Sequence, residues 1–311
     1  DAEFSSITDV LKKVSEDIRL DSLQQVFEQV NLVRPIGSAN HAVVRKRIVE
    51  NLSRNNWDIE QVTFEQETPI GTKRFTNILA SYKKKTFPKT YALSCHYDSL
   101  STVEDFYGSI DSAMPCAMIL EIARIYDKYY NSIKPKIGLE IYIFDGEEAF
   151  QKWSRKDSTY GSRHLANALL STSSIPGSAH TELDRIELFI LLDLLGATNT
   201  ILPNFELSNK VYYEELQKIE KQMISEKLLH SNFAKSGRLH FGLPLRGASI
   251  EDDHIPFLDK GVPVLHMIAY PFPEQWHKVT DNAANIDFEE ALDLTKIFTT
   301  FILRISMNLF A

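Results

Sequence analysis

One stretch of the chain, Ile141-Tyr142-Ile143-Phe144-Asp145-Gly146-Glu147-Glu148, joins a strand pattern to two adjacent carboxylates. The apolar residues before Asp145 predict a buried strand, and the Asp-Gly pair predicts its end. Two glutamates just beyond the carboxyl end of a strand can provide one metal ligand and one free base. Alternatively, these acids open a helix, because acidic residues are favourable in a first turn. The stretch therefore predicts a strand followed either by a site or by a helix.

Composition and charge restrict the class of protein. The chain has 311 residues, of which 43% are hydrophobic and 24% are charged, as in an ordinary globular protein. A net charge of -8 argues against a nucleic-acid partner. The longest apolar stretch, residues 188–197, is interrupted by Asp193 and is too short to span a bilayer. We therefore expect neither a nucleic-acid partner nor a membrane span.

The order of hydrophobic patterns predicts the fold class. Helical periodicity over residues 5–33 predicts two helices. The apolar patterns that follow predict two neighbouring strands, at residues 57–65 and 75–82. From residue 89 onwards strands alternate with helices, which predicts an α/β fold with a mostly parallel central sheet and helices on both faces. No repeat or linker divides the sequence, so we expect residues 1–311 to form one domain. The predicted strands and helices of the alternating part include 89–95, 139–144, 186–192, 212–229, 262–268 and 288–309.

Polar side chains recur where the predicted strands end. The carboxyl ends of parallel strands share one edge of a sheet, so these side chains are expected to converge in space. Each of them alone has another interpretation, as a histidine of the core or as a residue of a cap or turn. Together they favour a functional site. They are His96 and Asp98, Glu147 and Glu148, Asp193, His266 on the last strand, and His277 beyond it.

A buried group of acids and histidines requires a counter-charge, because unpaired carboxylates are costly to bury. Ligation by Asp, Glu and His without Cys suits a catalytic zinc ion with one open position. Asp111 lies at the start of a predicted helix and offers a further carboxylate. It could instead be the N-cap of that helix, although Ser112 could cap it equally well. The sequence thus predicts a divalent metal site, with zinc as the metal.

Eight sequence blocks, in order along the chain, closely resemble animal glutaminyl-peptide cyclotransferases. Two of them are Cys95-His96-Tyr97-Asp98-Ser99 and Phe144-Asp145-Gly146-Glu147-Glu148-Ala149-Phe150. The resemblance implies an α/β fold related to zinc aminopeptidases, but with a single zinc ion. It also implies cyclisation of N-terminal glutamine of peptides, and more slowly of glutamate, to pyroglutamate. The other blocks are 111–117, 157–165, 191–196, 252–258, 261–266 and 271–277.

The resemblance assigns a role to each matching residue. Three residues would bind the zinc ion, Glu147 would be the general acid and base, and Cys95 and Cys116 would form the disulfide of secreted members. Glu251 departs from the family, whose members carry an uncharged residue there. The three aromatic residues of the pocket could instead be packing residues of the core. The zinc ligands would be Asp111, Glu148 and His277. Asp193 and Asp252 would be catalytic residues that line the pocket, close enough to share a proton. The substrate-binding residues would be Trp153, Phe272, Trp276 and His266.

Two rival functions remain open from the residues. A di-zinc aminopeptidase would use His96, Asp111 and Asp193 for its second metal, although the blocks 252–254 and 276–277 resemble the cyclases. A non-catalytic zinc-binding domain would have no use for a free base at Glu147 beside a ligand. We therefore expect an enzyme that acts on peptides or proteins with N-terminal Gln.

The cellular setting is predicted from a few weaker signals. No signal peptide precedes Asp1, so we expect a mature or trimmed chain. Asn51-Leu52-Ser53 is a glycosylation sequon, and the two cysteines permit one disulfide. These features favour a secreted protein or one of the secretory pathway, with the Golgi or another organelle as the alternative. We expect a monomer.

Overall fold

A computed structural model describes residues 7–83, 87–174, 179–205, 209–242, 245 and 250–308. The sheet contains β1 (Trp57–Thr68), β2 (Gly71–Tyr82), β3 (Thr90–His96), β4 (Gly138–Phe144), β5 (Ile186–Asp193) and β6 (Val264–Ile268). The helices are α1 (Ile7–Asp17), α2 (Leu20–Val30), α3 (Ala39–Arg54), α4 (Met114–Ile133), α5 (Tyr160–Ser171), α6 (Lys210–Ser225), α7 (Asn232–Lys235), α8 (Ile255–Leu258) and α9 (Phe288–Ser306).

The strands form one mixed sheet in the order β1-β2-β4-β3-β5-β6. The four strands from β4 to β6 in this order run parallel, because helical crossovers connect β3 to β4 and β4 to β5. β1 and β2 form an antiparallel hairpin, and β2 also pairs antiparallel with β4. The prediction of a mostly parallel sheet is confirmed for the part of the sheet that carries the polar strand ends.

Helices cover both faces of the sheet, as predicted, but unequally. The larger core packs α1 to α4, α6 and α9 against one face, where Leu93 and Ile141 point. The smaller core packs α5 and α8 against the other face, beneath Ala92 and Phe144. Every residue of the central strand β3 is buried, as expected for a strand that is covered on both faces, and the strand ends at His96. Among the described helices, none has the length and apolar character needed to cross a membrane.

Element ends differ from the predictions by a few residues, each for a local reason. α6 ends at Ser225 rather than at 229, because Lys227 adopts a left-handed conformation (φ 57°) that turns the chain. β6 begins at Val264 rather than at 262, since Pro263 has no N–H to donate and only accepts from Phe189. Ser38 caps α3 by accepting from the backbone N–H of His41 at 3.1 Å. The predicted helix start at 5 and end at 309 lie outside the described residues.

Candidate active site

The two glutamates after β4 lie in an irregular loop, so the interpretation that they open a helix is wrong. Gly146 makes this loop possible because it has φ +76°, a conformation that L side chains rarely adopt. A Cβ at this position would also lie 2.5 Å from the ring of Phe75. The turn directs Glu147 and Glu148 into the interior, where both side chains are buried at the edge of a cavity.

Asp98 fixes the backbone of this loop. Its two carboxylate oxygens accept hydrogen bonds from the backbone N–H groups of Glu147 and Glu148, each at 3.2 Å. Asp98 is fully buried and follows β3, the strand next to β4. Its position was noticed in the sequence, but its role as an acceptor for these two amides was not predicted.

Asp111, Glu148 and His277 form a group that could hold a metal ion, with one ligand atom of each lying within 4.8 Å of the others. The Nε2 atom of His277 lies 3.4 Å from Asp111 Oδ2 and 3.6 Å from Glu148 Oε2. Glu148 Oε1 is buried and has no hydrogen-bond partner. The three residues come from separate loops, which fits the prediction that scattered residues converge at the carboxyl edge.

Asp111 is not an N-cap, so that alternative is wrong. It lies in an irregular turn, Ser109–Ala113, with φ −120° and ψ 75°, while α4 starts at Met114 without a side-chain cap. The preceding amide, Ile110 N–H, donates to Asp281 Oδ1 at 2.8 Å. Burial raises the pKa of Asp281 to about 7. These contacts hold the turn so that the Asp111 side chain faces the group.

Arg34 also holds the Ser109–Ala113 turn in place, and the sequence analysis did not predict this role. Its fully buried guanidinium donates to the carbonyl oxygens of Tyr97 at 2.7 Å and Gly108 at 3.1 Å, and also to that of Tyr107. The carbonyl of Asp111 lies 3.5 Å away. Burial lowers the pKa of Arg34 to about 10. A positive charge is thereby fixed behind the acidic group.

His96 links the metal-ligand group to Asp193. Its Nε2 atom lies 3.0 Å from Asp111 Oδ1 and 3.6 Å from Asp193 Oδ1, and these three residues form a second group with metal-ligand spacing. The hydroxyl of Ser112 also donates to Asp193. Burial by itself would lower the pKa of His96, but its hydrogen bonds to these carboxylates and to Asp98 raise it well above its usual value.

Asp252 and His266 form a buried pair beside the cavity. Their closest atoms, His266 Nε2 and Asp252 Oδ2, are 2.7 Å apart. His254 stacks on His266 with ring centroids 4.0 Å apart, and burial lowers its pKa well below the usual value. These three residues are a third group with metal-ligand spacing. Asp252 lines the cavity, whereas His266 lies behind it.

A cavity of about 560 Å³ opens over Glu147 and Glu148. Asp193 and Asp252 line it, as do the three predicted aromatic residues Trp153, Phe272 and Trp276. Phe272 and Trp276 lie with ring centroids 4.6 Å apart, and Trp276 stacks on His277 at 4.2 Å. Trp276 keeps 37% of its surface exposed, so at least this ring is a wall of the cavity rather than a residue of the core.

The carboxylates around the cavity are electrostatically crowded. Burial, reinforced by the other acids nearby, raises the pKa of Glu147 and of Glu148 well above the usual range. Burial and then the charge of Asp252 raise the pKa of Asp193 to about 6. At Asp111, burial would also raise the pKa, but hydrogen bonds to His277 and His96 outweigh burial and lower it. A bound cation would relieve this repulsion.

The predicted disulfide is present. Cys95 and Cys116 are bonded, with Cα atoms 5.7 Å apart. Cys95 immediately precedes His96 at the end of β3, and Cys116 lies in the first turn of α4. The bond therefore closes the segment that contains Asp111, one of the three residues of the metal-ligand group.

Comparison with known proteins adds independent information. The family model described as peptidase family M28 matches residues 77–302. The glutaminyl-peptide cyclotransferase of Bos taurus is 39% identical and aligns over 92% of this chain and 86% of its own length. That of Drosophila melanogaster is 37% identical over 97% of this chain and 82% of its own. The crystal structure of Macrostomum lignano glutaminyl cyclase is similar with a TM-score of 0.89 and 32% identity, covering 98% of this chain and 94% of that one.

Proposed function

The chain belongs to the glutaminyl-peptide cyclotransferases of peptidase family M28, and we infer that it is an acyltransferase that cyclises N-terminal glutamine of peptides to pyroglutamate. Glutamine would release ammonia, and N-terminal glutamate would react more slowly and release water. The observation that carries the proposal is the different placement of the adjacent residues Glu147 and Glu148. Glu148 belongs to a group with metal-ligand spacing, whereas Glu147 lines the same cavity outside that group.

The donor set fits a divalent metal ion. Asp111, Glu148 and His277 offer two carboxylates and an imidazole, the donors of catalytic zinc sites that leave one position open. The unpartnered, buried oxygen of Glu148 supports this, since buried polar atoms otherwise find a hydrogen bond. We therefore propose that these residues bind one zinc ion per chain. The ion would polarise the γ-carbonyl of the substrate glutamine and stabilise the negative charge that develops on its oxygen.

Glu147 is the proposed proton carrier. In the reaction, the α-amine nitrogen of the substrate bonds to the γ-carbon, and the bond from that carbon to the amide nitrogen breaks. Glu147 would accept a proton from the attacking amine and donate it to the departing nitrogen, which leaves as ammonia. Its burial beside the cavity supports this role. Proton transfer by a well-placed group contributes about 10²- to 10⁴-fold in rate.

The remaining cavity residues would hold the substrate in its reactive conformation. The attacking amine and the γ-carbon belong to the same residue, so positioning accounts for much of the expected rate gain. Trp153, Phe272 and Trp276 would enclose the glutamine side chain and exclude water. Asp193 and Asp252 would bind polar atoms of the substrate, and His266 would hold Asp252 in place through their contact at 2.7 Å.

The di-zinc aminopeptidase is the weaker candidate. Its second metal would need His96, Asp111 and Asp193, which do have metal-ligand spacing. In the structure, however, His96 lies within hydrogen-bond distance of Asp111 and the hydroxyl of Ser112 donates to Asp193. These contacts already occupy one carboxylate oxygen of Asp111 and one of Asp193. A non-catalytic zinc domain is disfavoured by Glu147, a buried carboxylate that such a domain would not need.

Several properties of the whole protein are part of the proposal. We propose a secreted or secretory-pathway enzyme, with the Golgi or another organelle as the alternative, because disulfides persist in oxidising compartments. We further propose that residues 1–311 fold as one domain, that the protein is a monomer, and that Asn51 carries a glycan. Gel filtration, and mass determination before and after deglycosylation, test these points.

The function is tested with two peptides, one beginning with Gln and one with Leu, followed by mass spectrometry with and without a chelator. We expect the Gln peptide alone to lose the mass of ammonia, and the chelator to abolish that loss. Release of the whole terminal residue from the Leu peptide would establish the aminopeptidase instead. No change in either peptide, with zinc bound to the protein, would establish a non-catalytic domain.

A further inference from the structure

Glu251 occupies the outer part of the cavity, on the loop before α8. It lines the cavity together with Trp153, although 46% of its side chain is exposed. Its Oε2 atom accepts a hydrogen bond from the indole Nε1–H of Trp153 at 3.1 Å. The carboxylate is thus held at the rim by an aromatic residue of the cavity wall. It also lies outside every described group with metal-ligand spacing.

The charge of Glu251 is only partly offset. Among the described residues, Arg155 forms an ion pair with it: its Nε lies 3.9 Å from Glu251 Oε1, and its side chain is 71% exposed. Arg155 lies closer to Asp259, at 3.2 Å, so its single positive charge is shared between the carboxylates of Glu251 and Asp259. Of the described residues that line the cavity, none is a lysine or an arginine. The described part of the rim therefore presents a net negative charge to an entering substrate.

The reaction places a particular part of the substrate at this rim. Cyclisation involves only the amine and the side chain of the first residue, which must reach Glu147 inside the cavity. The peptide continues from that residue into solvent, so its second residue has to pass the rim where Glu251 lies. A half-exposed carboxylate at this point attracts a cationic side chain and repels an acidic one.

We propose that Glu251 is a specificity-determining residue that favours peptides with lysine or arginine directly after the N-terminal glutamine. This inference rests on the proposed function and names a substrate class within it. The expected preference for Gln-Lys over Gln-Ala peptides is about two- to fivefold in kcat/KM, the range of an ion pair between exposed groups. It should reside mainly in KM, because the second residue takes no part in the bond changes.

The test compares the wild type with Glu251→Gln, whose amide oxygen can still accept from Trp153. Both proteins are assayed on matched Gln-Lys, Gln-Ala and Gln-Glu peptides, at low and at high ionic strength. We expect the wild type to prefer Gln-Lys and to disfavour Gln-Glu, with both differences reduced by salt. In Glu251→Gln the two differences should vanish while turnover of Gln-Ala is retained.

Glu274→Gln is the matched control, since it removes the same charge from an exposed residue of the 270–277 loop that does not line the cavity. This variant should keep the wild-type preference. Equal Lys-to-Ala ratios in the wild type and in Glu251→Gln would overturn the inference while leaving the cyclase assignment intact. Failure of the wild type to cyclise any Gln peptide would instead overturn the proposed function, and the inference with it.

Discussion

Two buried groups of acids and a histidine lie in different parts of this molecule, and their hydrogen bonding differs. In one, Glu220 and Glu290 flank His240, with Nδ1 2.6 Å from Glu220 and Nε2 3.4 Å from Glu290. All four carboxylate oxygens accept from backbone N–H groups, those of Asn199, Thr200, His240 and Phe241. In the other, which contains Asp111, Glu148 and His277, one oxygen of Glu148 has no partner.

The difference separates a structural group from a functional one. A buried charge stabilises a fold only when it is paired and fully hydrogen-bonded. The two carboxylates of the His240 group meet that condition, although His240 Nε2 has no hydrogen-bond partner, and they tie α6 and α9 to the 199–200 and 240–241 segments. The Asp111 group does not meet it, and its histidine is 33% exposed beside a cavity. Residues of the first group should therefore affect stability, and those of the second should affect metal binding and activity.

The largest effect is expected from His277→Ala. Removing a metal ligand should weaken zinc binding by more than about a hundredfold, since loss of an outer-shell partner alone costs about 10- to 100-fold. Activity should fall to background, while the melting temperature of the metal-free protein changes little because the side chain is partly exposed. Metal content, turnover and thermal melting on the same sample check this. Full zinc occupancy in the variant would show that the ligand set is wrong.

A smaller effect, on stability alone, is expected from Glu290→Ala. The change leaves the backbone N–H groups of Asn199 and Thr200 without their acceptors, which should cost about 2 to 4 kcal/mol in the free energy of unfolding. Denaturant melts measure this cost. Glu289→Ala, an exposed neighbour in the same helix, is the control and should change stability by about 0.5 kcal/mol or less. Loss of zinc affinity in folded Glu290→Ala would break the distinction between the groups.

The smallest effect concerns the pH dependence of stability. Burial would lower the pKa of His240, but the adjacent carboxylates of Glu220 and Glu290 outweigh burial and raise the pKa. The stability that protonated His240 contributes is therefore fully present below its pKa in the unfolded chain, about 6.5. This stability is lost as the pH rises through the higher pKa of the folded state. His240→Asn keeps a donor without titrating. We expect the stability difference between wild type and variant to shrink as the pH increases, and a pH-independent difference would contradict the account.

The sequence was sufficient to predict the residues of the site whose positions follow from the strands. Glu147, Glu148 and Asp193 each lie where a buried strand ends, and parallel strands bring such ends to one edge. Asp111 and His277, in irregular loops, were candidates from the same pattern, and the sequence blocks shared with a family then assigned them the role of metal ligands. The fold class followed from the same alternation of strands and helices.

The residues that hold the site in place could not be predicted. Arg34 donates to backbone carbonyl oxygens, among them those of Tyr97 and Gly108, which are 63 and 74 positions away along the chain. Asp281 reaches the N–H of Ile110 across 171 positions. Contacts to backbone atoms leave no pattern of residue types, so neither a periodicity nor a motif reveals them. The same is true of Glu220, Glu290 and His240, which are joined only by tertiary packing.

Glu148 is proposed to bind the metal ion, and Glu147 is proposed to move the proton. Zinc content and turnover of N-terminal Gln peptides, measured on one preparation of Glu147→Gln, test whether the two glutamates have these separate roles. We predict a zinc content equal to that of the wild type, with kcat lowered by about 10²- to 10⁴-fold, the contribution of a positioned acid and base. Near-normal turnover, or loss of the metal together with activity, would contradict the claim.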